Sequence, residues 1–452
     1  MIATAGAVAE RQELEQAVAR FASLVDARTG LISRVDSIAL TARDPQLHLV
    51  YAEPCDTTSM AGLAAANAGA AASPDPRRAF VRACGESIER YCGAFFDFGA
   101  MRLATEEELN AAGETFEPIG SFYPFAEEQY ARDGFPFERP TVRPTRWLPA
   151  IRWREDARDL GAAGGETVLV PASAVYVPYL FDRDVEPFTH MPISTGLAAG
   201  PTRARAITKG IFEILERDAF MVSWHAQLSG DVIDPASCAG RHPLVDEMLA
   251  YAGQTSRWHI NGLRTDVDVP IVSAALVDED DPPMTSFGIA AHTDASHALL
   301  LAMEEAMLTR VLLNRSPQTL VPWTDMTTVN DLRAHMLAHA STPSLREALA
   351  FLDAGPVREF GDYVASFDRA PASLHGALAA AGFEALWVDV TTPDVAEVGL
   401  HVVRSLVPGM QPLDNDHTHR YLGGHRVRDV ARRFGRDIHD ASAYHAAPHP
   451  FP

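Results

Sequence analysis

The sequence predicts an α+β fold. Apolar runs of strand length and amphipathic helical segments both recur along the 452 residues, and they interleave without a regular β-α period. Hydrophobic residues make up 47%, the content of an ordinary globular core, and the length suffices for several domains or one large composite fold.

The elements follow in order. Residues 9–27 read as an amphipathic helix, with strand-like runs at Gly30–Val35 and Leu47–Ala52. Ala61–Ala72 is rich in small residues and reads as a loop or close-packed turn. Residues 78–96 form a first acidic helix, residues 114–150 are Pro- and aromatic-rich and irregular, and Trp153 and Thr167–Val170 are strand-like up to Pro171. The segment STGLAAG, Ser194–Gly200, opens into a second acidic helix over 205–224. Small residues before a helix N-terminus let backbone N–H groups approach a ligand, although the segment lacks the G-x-x-x-x-G-K-[ST] pattern of a P-loop. Val269–Leu276 is a buried strand, residues 296–313 a third helix, 317–350 helical and more polar, and Leu386–Val390 a strand. The terminal PHPFP alternates prolines and predicts a stiff, polyproline-like arm over 441–452.

Bulk composition narrows the function classes. Sixty acidic against 38 basic residues give a net charge of −22, which argues against a nucleic-acid surface or an anionic membrane as partner. No apolar stretch reaches transmembrane length, and the N-terminus turns acidic too early for a signal peptide. None of the four cysteines forms a C-x-x-C pair, which disfavours structural zinc and suits a reducing cytoplasm. The histidines of DNDHTHRYLGGH and HAAPHPFP read as hydrogen-bonded or solvent-facing loop residues, and His401 as core.

The chemistry concentrates on the three helices. GESIERY (85–91) and FEILERDAF (212–220) repeat the signature E-x-x-E-R, and MEEAMLTR on the third helix adds Glu305 and Arg310. Helical spacing puts Glu86, Glu89 and Arg90 on one face, and Glu213, Glu216 and Arg217 on another. Such pairs are commonly a solvated, ion-paired face. Here apolar neighbours, Phe80 and Ile88 on one helix and Ile214 and Phe220 on the other, argue for burial, and buried charges need partners. Carboxylates take hard cations and arginines take phosphate oxygens, so the set suits a magnesium-nucleotide site.

These residues resemble the YcaO family, through GESIERYCG, ETVLVPASAVYVPY, STGLAAGPTRARAITKGIFEILERDAF, TDVDVPIVSAAL, ALLLAMEEAMLTR, VDVTTPDVAEVGLHVVRSLVPGMQPL and PHPFP. The proline-x-proline ending resembles the branch that forms thiazoline and oxazoline rings, the D protein of thiazole/oxazole-modified microcin biosynthesis. The resemblance implies a YcaO-type composite fold, with mixed sheets and helices around a central nucleotide-site cleft. Residues 1–60 would supply the N-terminal helix and strands, 61–440 the core and 441–452 the arm. It implies ATP- and Mg2+-dependent cyclodehydration of Cys, Ser or Thr in a ribosomal precursor peptide. Glu89, Glu216 and Glu305 would hold metal, and Glu86, Arg90, Ser194, Glu213, Arg217 and Arg310 the nucleotide. Pro450, Pro452 and Arg404 would serve at the reaction centre, with the Pro452 carboxylate as general base. It further implies a homodimer and a separate leader-binding partner, E1-like or ocin-ThiF-like.

The chain departs from the family at three places. Ala71, Ala72 and Ser73 stand where the family has Gly-Lys-Gly, Arg205 where a glutamate is usual, and Leu308 where a glutamine is usual. An arginine about 5 Å from a divalent metal would repel it by roughly 6–7 kcal/mol at an effective dielectric near 20, unless the side chain turns away or grips phosphate. The departures leave two further readings beside the active cyclodehydratase. One is a diverged subunit that scaffolds a maturation complex; the other is a different backbone modification, a thioamide or macroamidine.

Overall fold

The computed structural model describes residues 4–40, 44, 47–65, 68–141, 143–154, 166–252, 256–279, 282–371 and 373–451. Its strands, counted along the chain, form three sheets. The first is antiparallel, β1 (Ile32–Ile38), β2 (His48–Pro54) and β3 (Gly69–Ser73). The second runs β4 (Arg102–Ala104), β5 (Thr145–Arg152), β13 (Leu386–Asp389), β14 (His401–Leu406) and β7 (Leu197–Gly200), with β6 (Thr167–Pro171) also on β5. The third runs β11 (Thr285–Ala291), β10 (Ile271–Asp278), β9 (Ser256–Gly262), β8 (Asp231–Ile233) and β12 (Val357–Arg358); only the β8–β12 pair is parallel. Two sheets are thus antiparallel and the third is mixed, and the class is α+β.

Five helices position the site and are numbered α1 (Thr4–Ala22), α2 (Pro76–Gly93), α3 (Arg203–Ala226), α4 (Ala295–Asn314) and α5 (Leu332–Ser341). The three acidic helices start on side-chain caps that satisfy open N–H groups: Asp75 accepts from Arg77, Thr202 from Arg205, and Asp294 from Ser296. Pro76 supplies a first-turn residue whose missing N–H costs nothing there. The α3 helix ends at Gln227, which sits in the left-handed region at φ 47°.

The three helices tie the sheets together. The α2 helix packs on β2, β3 and β7, α3 on β7, β14 and β11, and α4 on β11, β10 and β3. Two glycines make the approach close: a Cβ on Gly69 of β3 would lie 2.1 Å from the Ala83 carbonyl of α2, and one on Gly288 of β11 would lie 2.3 Å from the Ala302 carbonyl of α4. The strands β3, β7 and β11 are each the edge of their own sheet. Three sheet edges therefore meet three helices, and the buried apolar clusters lie behind them.

Several expectations change. Gly69–Ser73 is a strand rather than part of a loop, because small residues let β3 slide under α2. Since β3 completes the sheet of β1 and β2, residue 60 does not separate two structural units. LAAG of STGLAAG is also a strand, paired to β14. The terminal arm is docked: Pro448 to Phe451 are buried, with Phe451 1% exposed. Of the late histidines, His445 and His449 are buried with the arm, His417 and His419 are half-buried and His425 is exposed, and His419, His425, His445 and His449 are hydrogen-bonded as expected; His401 is half-buried. No helix among the described residues is long and apolar enough to cross a membrane.

Candidate active site

An edge strand leaves every second N–H without a ladder partner, and a buried N–H requires one. Glutamates of the three helices meet that need. Glu86 accepts from Ala70 on β3 (3.1 Å), Glu89 from Ala199 on β7 (2.7 Å), and Glu213 from Gly196 just before β7 (3.0 Å). Glu216 accepts from Ala291 (2.9 Å) and Glu305 from Ile289 (2.8 Å), both on β11. Helical spacing puts the carboxylates on one face, and the strand amides fix where each points.

The basic residues are interleaved. Arg90 lies 3.3 Å from Glu86; Arg217 lies 3.7 Å from Glu213 and 3.6 Å from Glu216. Lys209, on α3 four residues before Glu213, places its Nζ 2.6 Å from Glu89. Five carboxylates thus face three cations, a formal excess of two negative charges when every glutamate is ionised. Burial first, and then the neighbouring Glu305 and Glu213 charges, push Glu216 up to about 8 despite the opposing Arg217. Burial raises Glu305 and Glu89 in the same direction.

Arg404 projects from β14 beside this group. It is 2% exposed, and its Nε and Nη1 have no hydrogen-bond partner among the described residues. Burial lowers its pKa, with Tyr123 and Glu213 opposing. It lines a cavity with Arg217, Tyr123, Thr195, Ile214 and Met410. The backbone of Ser194, half-buried at the same end, accepts from Leu197.

The terminal arm runs back along α3 toward Arg217. Trp224 Nε1 donates to the Ala447 carbonyl (3.1 Å), His339 Nε2 on α5 to that of Pro448 (2.8 Å), and His335 Nδ1 to that of His449 (3.1 Å). The rings of His335 and His449 stack at 3.9 Å. The Arg217 guanidinium carbon sits 4.0 Å over the Phe451 ring, with Phe220 beside it. Pro450 is buried in this arm next to Phe451; Pro452 lies outside the described residues.

Three sequence-based assignments meet a different environment. Arg310 is not brought to the cluster: it is buried, donates to the Pro283 carbonyl and pairs with Asp278 at 3.2 Å. Arg205 turns outward to Glu13 of α1 (3.1 Å, with the arginine side chain 65% exposed), which removes the repulsion expected of it. Ala72 is 1% exposed in an apolar cluster, and Leu308 packs against that same cluster. Next to Ala72, Ser73 donates to the fully buried Glu304 (2.9 Å), which Arg82 also holds at 2.5 Å. Sequence reading missed Lys209, Glu304 and Arg82. Helical spacing from Glu213 was the available signal for Lys209; Arg82 lies four residues before Glu86, but the pairing of Arg82 with Glu304 joins residues 222 apart.

Do these residues fit a magnesium-nucleotide? Among the described residues, buried guanidinium atoms that make no hydrogen bond at Arg90 (Nε), Arg404 and Arg217 (Nη1, 3.6 Å from Glu216) match phosphate or carbonyl oxygens. The excess negative charge matches a divalent cation. Among the described residues no three acidic, histidine or cysteine side chains converge closely enough to hold a metal alone. That suits magnesium, which usually takes one or two carboxylates and completes its shell with phosphate oxygens and water.

Comparison with known proteins gives the same direction. Residues 68–411 match the family described as YcaO cyclodehydratase, ATP- and Mg2+-binding. An uncharacterized protein of Methanothermobacter thermautotrophicus is 28% identical over 156 residues, 32% of this chain and 38% of that protein. Among solved structures, a heterocyclase in complex with substrate and cofactor superposes with a TM-score of 0.75 at 20% identity, covering 97% of this chain and 57% of the other. This chain thus spans little more than half of that heterocyclase. The YcaO from Methanopyrus kandleri bound with AMPPCP and Mg2+ gives 0.60 at 19% identity, covering 89% and 91%. The E. coli microcin synthetase McbBCD complex with pro-MccB17 bound gives 0.63 at 12% identity, covering 94% and 98%.

Proposed function

This chain belongs to the YcaO family, and from that premise we propose that it is an ATP- and magnesium-dependent cyclodehydratase. Its substrate is a ribosomally made precursor peptide whose Cys, Ser or Thr residues it converts to thiazoline or oxazoline. The observation that carries this reading is the half-buried cluster of Glu86, Glu89, Glu213, Glu216 and Glu305, interleaved with Arg90 and Arg217 and closed on one side by Phe451.

When bound, ATP with magnesium supplies the γ-phosphoryl group and neutralises its charge. The chain's own residues position and polarise. Glu216 and Glu305, oriented by β11 amides, would hold the cation. Arg90 and Arg217 would take phosphate oxygens with the guanidinium atoms that carry no hydrogen bond. Arg404 points two unpartnered N–H groups at the cavity where a peptide carbonyl would sit, and the apolar wall of Ile193, Ile214 and Met410 excludes water. In the net reaction the substrate's thiol or hydroxyl bonds to the preceding backbone carbonyl carbon. The amide oxygen leaves as phosphate, the amide and thiol or hydroxyl protons are released, and ADP remains. The docked arm brings Phe451 under Arg217, and a carboxylate at Pro452 would act beside it as general base.

The reading extends to a homodimer, a cytoplasmic setting and a separate leader-binding protein that delivers the precursor. A second reading, a maturation scaffold with a decayed nucleotide site, is favoured by one observation: Ala72 is packed in apolar core where the family places a lysine. Calorimetric titration with a non-hydrolysable ATP analogue, with and without magnesium, separates the two. Magnesium-dependent binding at micromolar affinity, together with loss of water from a precursor peptide seen by mass spectrometry, supports the enzyme. Absence of binding supports the scaffold.

A further inference from the structure

Lys209 is an unexpected cation in the acidic cluster. Most of its side chain is solvent-exposed, yet its ammonium lies 2.6 Å from Oε1 of Glu89, itself only 7% exposed. The same Oε1 accepts the Ala199 N–H at 2.7 Å, so strand β7 and Lys209 grip one carboxylate oxygen together. Glu213 and Glu86 lie beyond it and act on the ammonium in the same sense as Glu89. The other two cations near the start of α3 point elsewhere: Arg203 pairs with Asp389 and Arg205 with Glu13. Lys209 is therefore the side chain of this first stretch of α3 that delivers positive charge into the cluster.

We propose that Lys209 takes the place of a divalent ion at Glu89. The cluster then has two unequal halves. On the Glu216–Glu305 side the carboxylates have Arg217 as their near cation, at 3.6 Å from Glu216, and the surplus negative charge remains for magnesium. On the Glu86–Glu89 side the ammonium already neutralises the carboxylate, and a metal cannot share Glu89 Oε1 with it without strong like-charge repulsion. A lysine has three N–H donors and a flexible stem. With one spent on Glu89, the others would be available to a phosphate oxygen, and Lys209 would then link the protein carboxylate to the nucleotide in the place of a metal. This assignment rests on the nucleotide-site reading.

The test uses the full chain and Mn2+ as a paramagnetic stand-in for magnesium, with free Mn2+ followed by electron paramagnetic resonance. Titrations are done without nucleotide and with a non-hydrolysable ATP analogue. Lys209→Met is expected to bind one more Mn2+ per chain than the natural protein. Glu89→Gln is expected to leave the count of the natural protein unchanged and to abolish the ion gained in Lys209→Met. The proposal is overturned if Lys209→Met and the natural protein bind the same number of ions, or if Glu89→Gln alone costs the natural protein an ion. If Glu89→Gln does not fold, the Lys209→Met count decides by itself. The nucleotide reading fails separately: an analogue that binds neither protein, with the extra ion still present in Lys209→Met, removes the ATP site and leaves the Lys209 assignment standing.

Discussion

Replacing Glu216 by glutamine is expected to stabilise the free protein at alkaline pH while weakening its magnesium-nucleotide site. Burial lifts the folded-state pKa of Glu216 from 4.5 to about 8, and its side chain is 14% exposed. The folded state therefore holds this proton more tightly than the unfolded chain does. The stabilisation from the protonated form is complete below pH 4.5 and is lost as pH rises toward 8. At about 1.4 kcal/mol per pKa unit, the ionised form costs the fold roughly 3–5 kcal/mol above pH 8. Glutamine keeps an oxygen for the Ala291 N–H and carries no charge. The difference between variant and natural protein should be near zero at pH 4.5 and grow to that size by pH 8–9. For a chain of this length that is a rise in Tm of about 3–5 °C. Thermal melts across this pH range measure it, and the difference between the two proteins cancels the background from the net charge of −22. Adding magnesium and a non-hydrolysable analogue should raise the melting temperature of the natural protein and not that of the variant. A variant less stable than the natural protein by the same amount at pH 5 and pH 8 would refute the reasoning, because Glu216 would then be an ionised partner of Arg217 throughout.

Other substitutions separate the remaining parts. Arg205→Glu should change analogue affinity by no more than about twofold, since an exposed ion pair contributes ~0–1 kcal/mol; a titration checks it. Phe451→Ala removes the ring under Arg217 and should lower precursor turnover by about tenfold or more, a barrier rise of ~1.4 kcal/mol, with nucleotide affinity little changed in the same assays. Arg404→Met should abolish turnover of precursor while leaving the fold intact by circular dichroism, because it replaces a buried charge by an apolar side chain of similar length. Acid should undock the arm. Burial pushes His339 down to about 4 and holds His449 well below the ordinary histidine value, so the unfolded chain binds more protons between pH 6.5 and 4. Docking is then complete above pH 6.5 and weakens toward pH 4, read as faster intrinsic-rate-corrected amide exchange at Ala446, Ala447, His449 and Phe451.

The three acidic helices and their repeated E-x-x-E-R faces were legible because helical spacing is a local property, and Glu86, Glu89, Glu213 and Glu216 all lie where it places them. The strands β3 and β7 were not, since Ala and Gly have low strand propensity and are there to let a helix approach. Spacing alone also misjudged charge direction. Arg205 and Lys209 are one turn apart on α3, yet one turns out to α1 and the other in to Glu89, a choice made by partners 192 and 120 residues away. Arg310 shows the same limit: its position on α4 is clear from sequence, but its engagement with Asp278 depends on β10. His445 and His449 of the last segment were read as loop residues, and the docking of the arm onto Trp224 of α3 and His335 of α5 explains their burial.

The glutamates that cap β3, β7 and β11 have a consequence for how a peptide can enter. An exposed strand edge invites an extended peptide to add as a further strand. Here the outward amides of Ala70, Ala199, Ile289 and Ala291 are already occupied by carboxylates, and the flanking charge is negative. On the proposed reading, a precursor chain could not zip along these edges; it would cross them, presenting a single residue and the carbonyl before it, an entry that would let many flanking sequences pass while admitting one ring-forming unit at a time.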